Sequence, residues 1–331
     1  LLLSLEPADA GAYRAEAAAV SGGTALKLPV RVAYTLNEPN ALLLDKAEFA
    51  LDDGPWQPEE EILRLDNVLR EKLGMAHRGG GVAQPWAVTE LAQPHKVRVR
   101  FRVNCACAVR DVKIALEQGK GAPISLNGQA VESGVEGWFT DKSIVTRHLG
   151  DLQIGENIIE LTLPLGERVG LEWCYLLGNF GVRVVGACRE IMPKAEKLGF
   201  ADVIPQGLAH YGGNITYRID VETQGGDVKV WVPHYTGTAV RVTLDGKNEY
   251  IAYSPNEAVL ENVAPGCHTL ELTLLGNRVN CFGPVHLADP LWRWHGPDAW
   301  RTNDVLWSDS YKLKELGIMS APVVEVSVSE E

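Results

Sequence analysis

Two short stretches of this 331-residue chain set large aromatic rings beside carboxylates. The first is Gly137-Trp138-Phe139-Thr140-Asp141-Lys142-Ser143-Ile144, in an expected connection between strands. The second, Leu171-Glu172-Trp173-Cys174-Tyr175-Leu176-Leu177-Gly178-Asn179-Phe180-Gly181, follows the next long strand. Trp138, Trp173 or Tyr175 can cover the apolar face of a pyranose while Asp141 and Glu172 accept hydrogen bonds from its hydroxyls. The same residues suit a sealed end of a sandwich, where an indole N–H and a carboxylate satisfy turn amides. A third reading makes Asp141 and Glu172 an acid and base, which needs two carboxyl groups roughly 5 to 10 Å apart across one cleft.

Further along, His234 and Tyr235 follow an expected strand over 228–232 and suit either a loop-end pocket or a structural contact. The stretch Leu275-Gly276-Asn277-Arg278-Val279-Asn280-Cys281-Phe282-Gly283-Pro284-Val285-His286 precedes Trp292, Trp294, His295, Trp300 and Trp307. Aromatic area of that size is rarely left in water, so the segment either binds a ligand or joins domains. Asn280, His286, Trp292 and Trp294 are its candidate contacts. Arg98, Arg100 and Arg102 share one strand face, as a solvated stripe, a domain contact or a site for an anionic sugar. There is no glycine-rich phosphate loop, nucleophile elbow or His-Glu-x-x-His pattern, so no catalytic residue is assigned.

The elements that must position these residues show mainly a period of two. Lys96-Val97-Arg98-Val99-Arg100-Phe101-Arg102-Val103 is apolar at every second residue, which predicts a half-buried strand. The period recurs at Val112/Ile114/Leu116, Ile159/Leu161/Leu163, Val228/Val230/Val232, Val240/Val242/Leu244 and Leu270/Leu272/Leu274. Short strands separated by Gly, Pro and Asn turns predict an all-β, mainly antiparallel protein with sheets packed face to face. The segments 97–103, 123–128 and 155–163 have counterparts in the same order at 215–221, 241–246 and 266–274, so the repeat is domain-sized. Asn127-Gly128 and Asp245-Gly246 supply the positive φ of a tight hairpin in each copy.

Residues 1–80 read as a hairpin around Asp52-Asp53-Gly54 plus one short helix, an edge of a preceding domain. Residues 81–188 read as a first sandwich, and 189–331 as a second with a Trp-rich end. The helix is predicted from Pro58, with Glu59, Glu60 and Glu61 opposing its dipole and Gly74 ending it. Residues 190–199 read as a short helix or a linker.

A formal charge of −12, from 43 acidic and 31 basic residues, repels nucleic acid and anionic membranes, so neither is an expected partner. No apolar run reaches the roughly 18 to 20 residues of a membrane span. The start, Leu1-Leu2-Leu3-Ser4-Leu5-Glu6-Pro7, has no initiator Met, basic leader or cleavage site, and reads as the middle of a strand in a longer polypeptide or a processed subunit. The six cysteines are expected as apolar fillers of a reduced, cytoplasmic protein. Only Cys105 and Cys107 share a spacing that two metal ligands could use, and no further ligand stands near them.

At these residues the chain resembles accessory regions of large family 2-like and α-rhamnosidase-like glycoside hydrolases. Leu126-Asn127-Gly128, Gly137-Trp138-Phe139-Thr140-Asp141 and Gly155-Glu156-Asn157 look like elements of their galactose-binding-like jelly rolls. Asn280 to His286 looks like their Asn-x-x-Gly-Pro-His-His element, with Val285 standing where the first His would be. The resemblance, over residues 82–331, implies tandem jelly-roll sandwiches that bind a glycan or small sugar and brace an upstream catalytic domain or subunit. It also makes structural calcium plausible, although no oxygen-ligand loop is evident and no cofactor is expected. The function expected is therefore a non-catalytic carbohydrate-binding and domain-bracing region of a larger glycoside hydrolase. A hydrolase using its own paired carboxylates, and an assembly protein with no sugar site, are the alternatives.

Overall fold

The computed structural model describes residues 23–77, 95–289, 291 and 304–327. The candidate contacts Trp292 and Trp294, and the strand expected over 13–20, lie outside those residues. The chain opens with β1 (Gly23–Ala25) and β2 (Arg31–Leu36). Next come β3 (Asn40–Leu44), β4 (Lys46–Leu51), β5 (Gln57–Glu61) and helix α1 (Ile62–Leu73). They are followed by β6 (His95–Cys105), β7 (Val109–Leu116), β8 (Ile124–Leu126), β9 (Gln129–Ala130) and β10 (Val135–Phe139). The middle of the chain continues with β11 (Asp141–Leu152), β12 (Gly155–Leu165), β13 (Cys174–Gly178), β14 (Gly181–Val185) and β15 (Cys188–Met192). The last part begins with β16 (Lys197–Gly199), β17 (Ile215–Thr223), β18 (Gly226–Trp231), β19 (Tyr235–Thr236) and β20 (Ala239–Leu244). It ends with β21 (Lys247–Ile251), β22 (Glu257–Val263), β23 (Gly266–Leu275), the single turn α2 (Val279–Phe282), β24 (Gly317–Ile318) and β25 (Val323–Ser327).

The period-two pattern builds the sheets as expected. In β6, Val97, Val99, Phe101 and Val103 are buried, and β12 pairs with β6 in unbroken antiparallel register from Gly155 opposite Cys105 to Leu165 opposite His95. The first sandwich packs the sheet β10-β11-β7-β13-β3 against the sheet containing β14-β15-β6-β12-β8-β9, onto which β4 adds beside β6. The second packs β1-β25-β18-β22 against β16-β2-β17-β23-β20-β21. Asn127 and Gly128, and likewise Asp245 and Gly246, adopt the positive φ that their hairpins require.

The repeat runs deeper than its sequence trace. β6, β12, β8 and β9 correspond in order and neighbours to β17, β23, β20 and β21, while β7, β11 and β13 correspond to β18, β22 and β25. The remaining pair comes from the N-terminal stretch, because β3 and β4 take the places beside β13 and β6 that β1 and β2 take beside β25 and β17. The segment read as the edge of a preceding domain thus contributes strands to both sandwiches. The chain starts the second sandwich, crosses at residues 37–39, builds the first, and returns at 193–196 to finish the second.

Two local expectations change. Helix α1 starts at Ile62 rather than Pro58, since residues 57–61 pair with β4 and Glu61 stays extended at φ −72°, ψ 135°. Gly74, at φ 69°, ends the helix as predicted. Residues 190–199 form the end of β15 and the short β16, because Glu190 and Ile191 pair with β6 in parallel and Lys197 to Gly199 pair with β2.

A fragment of residues 193–331 lacks β1 and β2, which opens one edge each of β17 and β25, leaves β16 without β2 and removes Val32 and Tyr34 from the second core. It is expected to show no cooperative thermal transition by circular dichroism. Joining residues 21–38 to its N-terminus through a flexible linker should restore one.

Candidate functional site

Of the polar residues that sequence singles out, His286 belongs to a sealed cluster centred on Asp45, with Asn280 beside it. Asp45, between β3 and β4, is completely buried. Its Oδ1 accepts hydrogen bonds from Arg189 Nη1 and from the Tyr311 hydroxyl at 2.8 Å, and its Oδ2 lies 2.7 Å from His286 Nε2. His286 Nδ1 lies 2.8 Å from the Ser308 carbonyl. The Arg189 and His286 partners hold the Asp45 carboxyl well below the usual carboxylate range despite its burial, which acts in the opposite direction. Trp307 covers His286 with ring centroids 4.6 Å apart, and the Arg64 guanidinium lies 4.4 Å from the Trp307 ring.

Asn280 works beside His286. Its amide bonds the backbone of Lys314 in both directions, at 2.7 and 2.8 Å, so the two residues together pin the returning segment 308–314. Tyr175 is buried under α2, with its hydroxyl donating to the Cys281 carbonyl at 3.3 Å and its ring packed on Phe139 and Phe282. Val285 is likewise buried in the first core. Trp173 donates its indole N–H to Glu61 Oε1 at 2.6 Å. Glu61 caps α1, accepting from Leu63 N at 3.1 Å and Arg64 N at 2.9 Å. Burial pushes its carboxyl up to about 7 in spite of these three donors, and the Asp45 charge adds to the rise. His210 is fully buried near Asp45; Nδ1 accepts from Leu43 N at 3.4 Å, and Nε2 has no partner among the described residues.

The other candidates stand apart. Trp138 is exposed on the edge strand β10, and the Asp141 carboxylate is engaged by the Ser143 N–H and hydroxyl at 2.8 and 2.7 Å. Glu172 lines a cavity of about 10 Å³ that Asp141 does not reach, roughly one water's worth of space. His234 is exposed, with its carbonyl bonded to Met319 N, and Tyr235 donates to the Ile251 carbonyl at 3.2 Å. Two arginines of the stripe are paired across strands, Arg100 with Glu48 and Glu160 and Arg102 with Glu48 and Glu156, while Arg98 bonds the Gly54 carbonyl at 3.0 Å and Trp56 stacks 3.9 Å under Arg100. All six cysteines are free thiols. Among the described residues no group of three or more His, Cys, Asp or Glu is placed to hold a metal.

An open groove of about 620 Å³ lies where the chain crosses between the sandwiches. Residues 34–40 form one side, with Arg110, Asp111 and Lys113 of β7, Gly178 at the end of β13, Asn179 after it, and Lys194 of the return crossing opposite. Sequence reading missed it because its residues are spread over 161 positions and none forms a local motif. It also missed Asp45, Arg189, His210 and Tyr311. A lone Asp ending the run Leu42-Leu43-Leu44 was the one available signal, since a charge beside buried strand residues must find a partner.

No protein-family model and no curated protein matches the sequence. Among solved structures, a rhamnosidase from Novosphingobium sp. PP1Y is 12% identical over 78% of this chain, with a TM-score of 0.28. A GH2 β-galacturonidase from Eisenbergiella tayi is 10% identical over 73% of this chain, at 0.25. An anti-sigma factor domain-containing protein from Clostridium clariflavum is 9% identical over 70% of this chain and 89% of its own, at 0.21. The chain spans 26% of the rhamnosidase and 37% of the galacturonidase. At TM-scores this low the likenesses carry no argument.

Two outcomes follow from the cluster. Asp45→Asn leaves the Arg189 guanidinium buried without its counter-charge, and urea unfolding at neutral pH should register a loss of about 3–5 kcal/mol. Glu61 ionises near 4.5 when unfolded and near about 7 when folded, so between those values the folded state holds the extra proton and stability falls as pH rises. His210, pushed down by burial from 6.5 to about 4, acts oppositely, since the unfolded state takes its proton first and stability rises with pH across that window. Glu61→Gln removes only the first effect. From pH 4.5 to 7 the unfolding free energy of this variant should gain on the parent by on the order of 3 kcal/mol; a constant difference would show that Glu61 does not carry the proton.

Proposed function

We propose that this chain is a non-catalytic, carbohydrate-binding and domain-bracing region of a larger glycoside hydrolase, with the groove at the double crossing as its ligand surface. The observation that carries the reading is the division of labour between cluster and groove. The side chains with the chemistry of general acids and bases, Asp45, Glu61, His210 and His286, are closed off from solvent. The accessible groove instead offers amides, cations, the Tyr34 ring and two carboxylates, Glu38 and Asp111, set beside Arg278 and His148, which suits recognition of hydroxyl-rich molecules more than bond cleavage. Its position between two packed units is also where ligand sites tend to form.

The resemblance of the 280–286 element to the end of glycoside hydrolases supports the bracing half. In this chain that element ties the segment 308–314 to the first sandwich through Asn280, His286 and Asp45. The upstream catalytic domain belongs to the proposal on the same ground. The jelly-roll character of the two sandwiches rests on the order of their strands, which repeats in both.

A glycan array probed with the intact chain should retain saccharides. Asn179→Trp, which fills the groove, should reduce retention by about tenfold, the scale of a single well-placed contact, while Trp138→Ala leaves it unchanged. Absence of any retained saccharide would sink the binding half of the reading. Loss through Trp138→Ala with no effect of Asn179→Trp would move the site to the β10 edge.

A further inference from the structure

The charges that line the groove do not cancel, and they name a class of ligand for it. Five charged side chains face it: Glu38, Arg110, Asp111, Lys113 and Lys194. Three of them are already engaged away from it. Glu38 is held by both terminal nitrogens of Arg278, at 2.6 and 2.8 Å, Lys113 bonds Glu136 at 2.8 Å, and Asp111 lies 3.2 Å from His148 Nδ1. Arg110 has no ion-pair partner among the described residues, and Lys194 has only the Tyr34 ring, 5.5 Å away. The two cations come from different parts of the chain, Arg110 from β7 and Lys194 from the return crossing. Asn179 lines the same groove and its amide has no hydrogen-bond partner among the described residues, so it remains for hydroxyls.

Resting on the carbohydrate reading of this groove, we infer that it takes an acidic sugar, a uronate unit whose carboxylate pairs with Arg110 and Lys194 while its hydroxyls meet Asn179 and the backbone of 35–39. A guanidinium presents two parallel N–H donors that match a carboxylate, and the lysine supplies a second charge with freer geometry. A volume of about 620 Å³ is in the usual range for small-molecule sites and leaves room for more than one ring. The chain as a whole carries −12, so attraction to an acidic glycan is local to the groove and weakens steeply with salt. The other arginine-rich surface is already engaged, Arg100 and Arg102 by glutamates and Arg98 by the Gly54 carbonyl and the Trp56 ring.

Isothermal titration of the intact chain with digalacturonate and with its carboxyl-reduced, neutral twin tests the assignment. Digalacturonate should bind roughly tenfold tighter than the twin, as a charge-assisted hydrogen bond implies. Arg110→Gln and Lys194→Gln should each remove most of that preference without changing the thermal transition, since both side chains lie on the surface. Acetate is the control for a bare carboxylate and should not bind measurably. Equal affinity for the two disaccharides, or a preference that survives both substitutions, overturns the acidic-sugar assignment and leaves the glycan-binding reading standing. If neither disaccharide nor any arrayed glycan binds, both fall.

Discussion

The carboxylate of Asp45 has no access to water, and a charge in that position must be met by other charges and donors or the fold does not form. Arg189, Tyr311 and His286 meet it from three separate segments of the chain. Each of those segments is itself anchored elsewhere: Arg189 in β15 beside β14, Tyr311 through its N–H to the Gly186 carbonyl, and His286 through Ser308. Removing the charge would therefore loosen the closure of the first sandwich, the seating of the C-terminal segment and the approach of the two units together. An apolar cluster of equal size could be as stable, but it would tolerate several arrangements; a buried ion pair accepts far fewer.

That clamp explains why the polar residues best suited to chemistry are the least accessible. Glu61, with its carboxyl raised to about 7, and His210, lowered to about 4, carry the perturbed acidities that often mark reactive centres. Here burial is the first cause of both shifts, and the same burial excludes a substrate. Structural ion-pair networks perturb acidity for the same physical reason as active sites do. Accessibility separates the two, and it points to the groove.

The sheets were legible because alternation is a local property: Val97, Val99, Phe101 and Val103 announce their buried face with no knowledge of what covers it. The hairpin turns at Asn127-Gly128 and Asp245-Gly246 were legible for the same reason. The nesting was not, since β1 and β2 carry the same alternating signal whichever sandwich they join, and only pairing with β25 and β17 assigns them. The clamp was hidden by distance, as Asp45 meets Arg189, His286 and Tyr311 at separations of 144, 241 and 266 residues. Trp173 and Tyr175 left both a ligand platform and a sealed end open because a buried indole N–H or phenol needs a polar partner just as a sugar-binding one does. Sequence composition around them is the same in both cases.

The nesting also imposes an order of events on the ribosome. Asn37, just past β2, meets its partner Asn214 only 177 residues later. At roughly 5–20 residues per second, β1 and β2 wait on the order of ten to thirty seconds with open edges before their neighbours exist. During that interval the inserted sandwich has all its strands and can close around Phe101 and its neighbours. β1 and β2 are thus made well before they are paired, and their protection during synthesis falls to chaperones or to the single charge of Arg31 at the start of β2, which discourages pairing with other nascent chains.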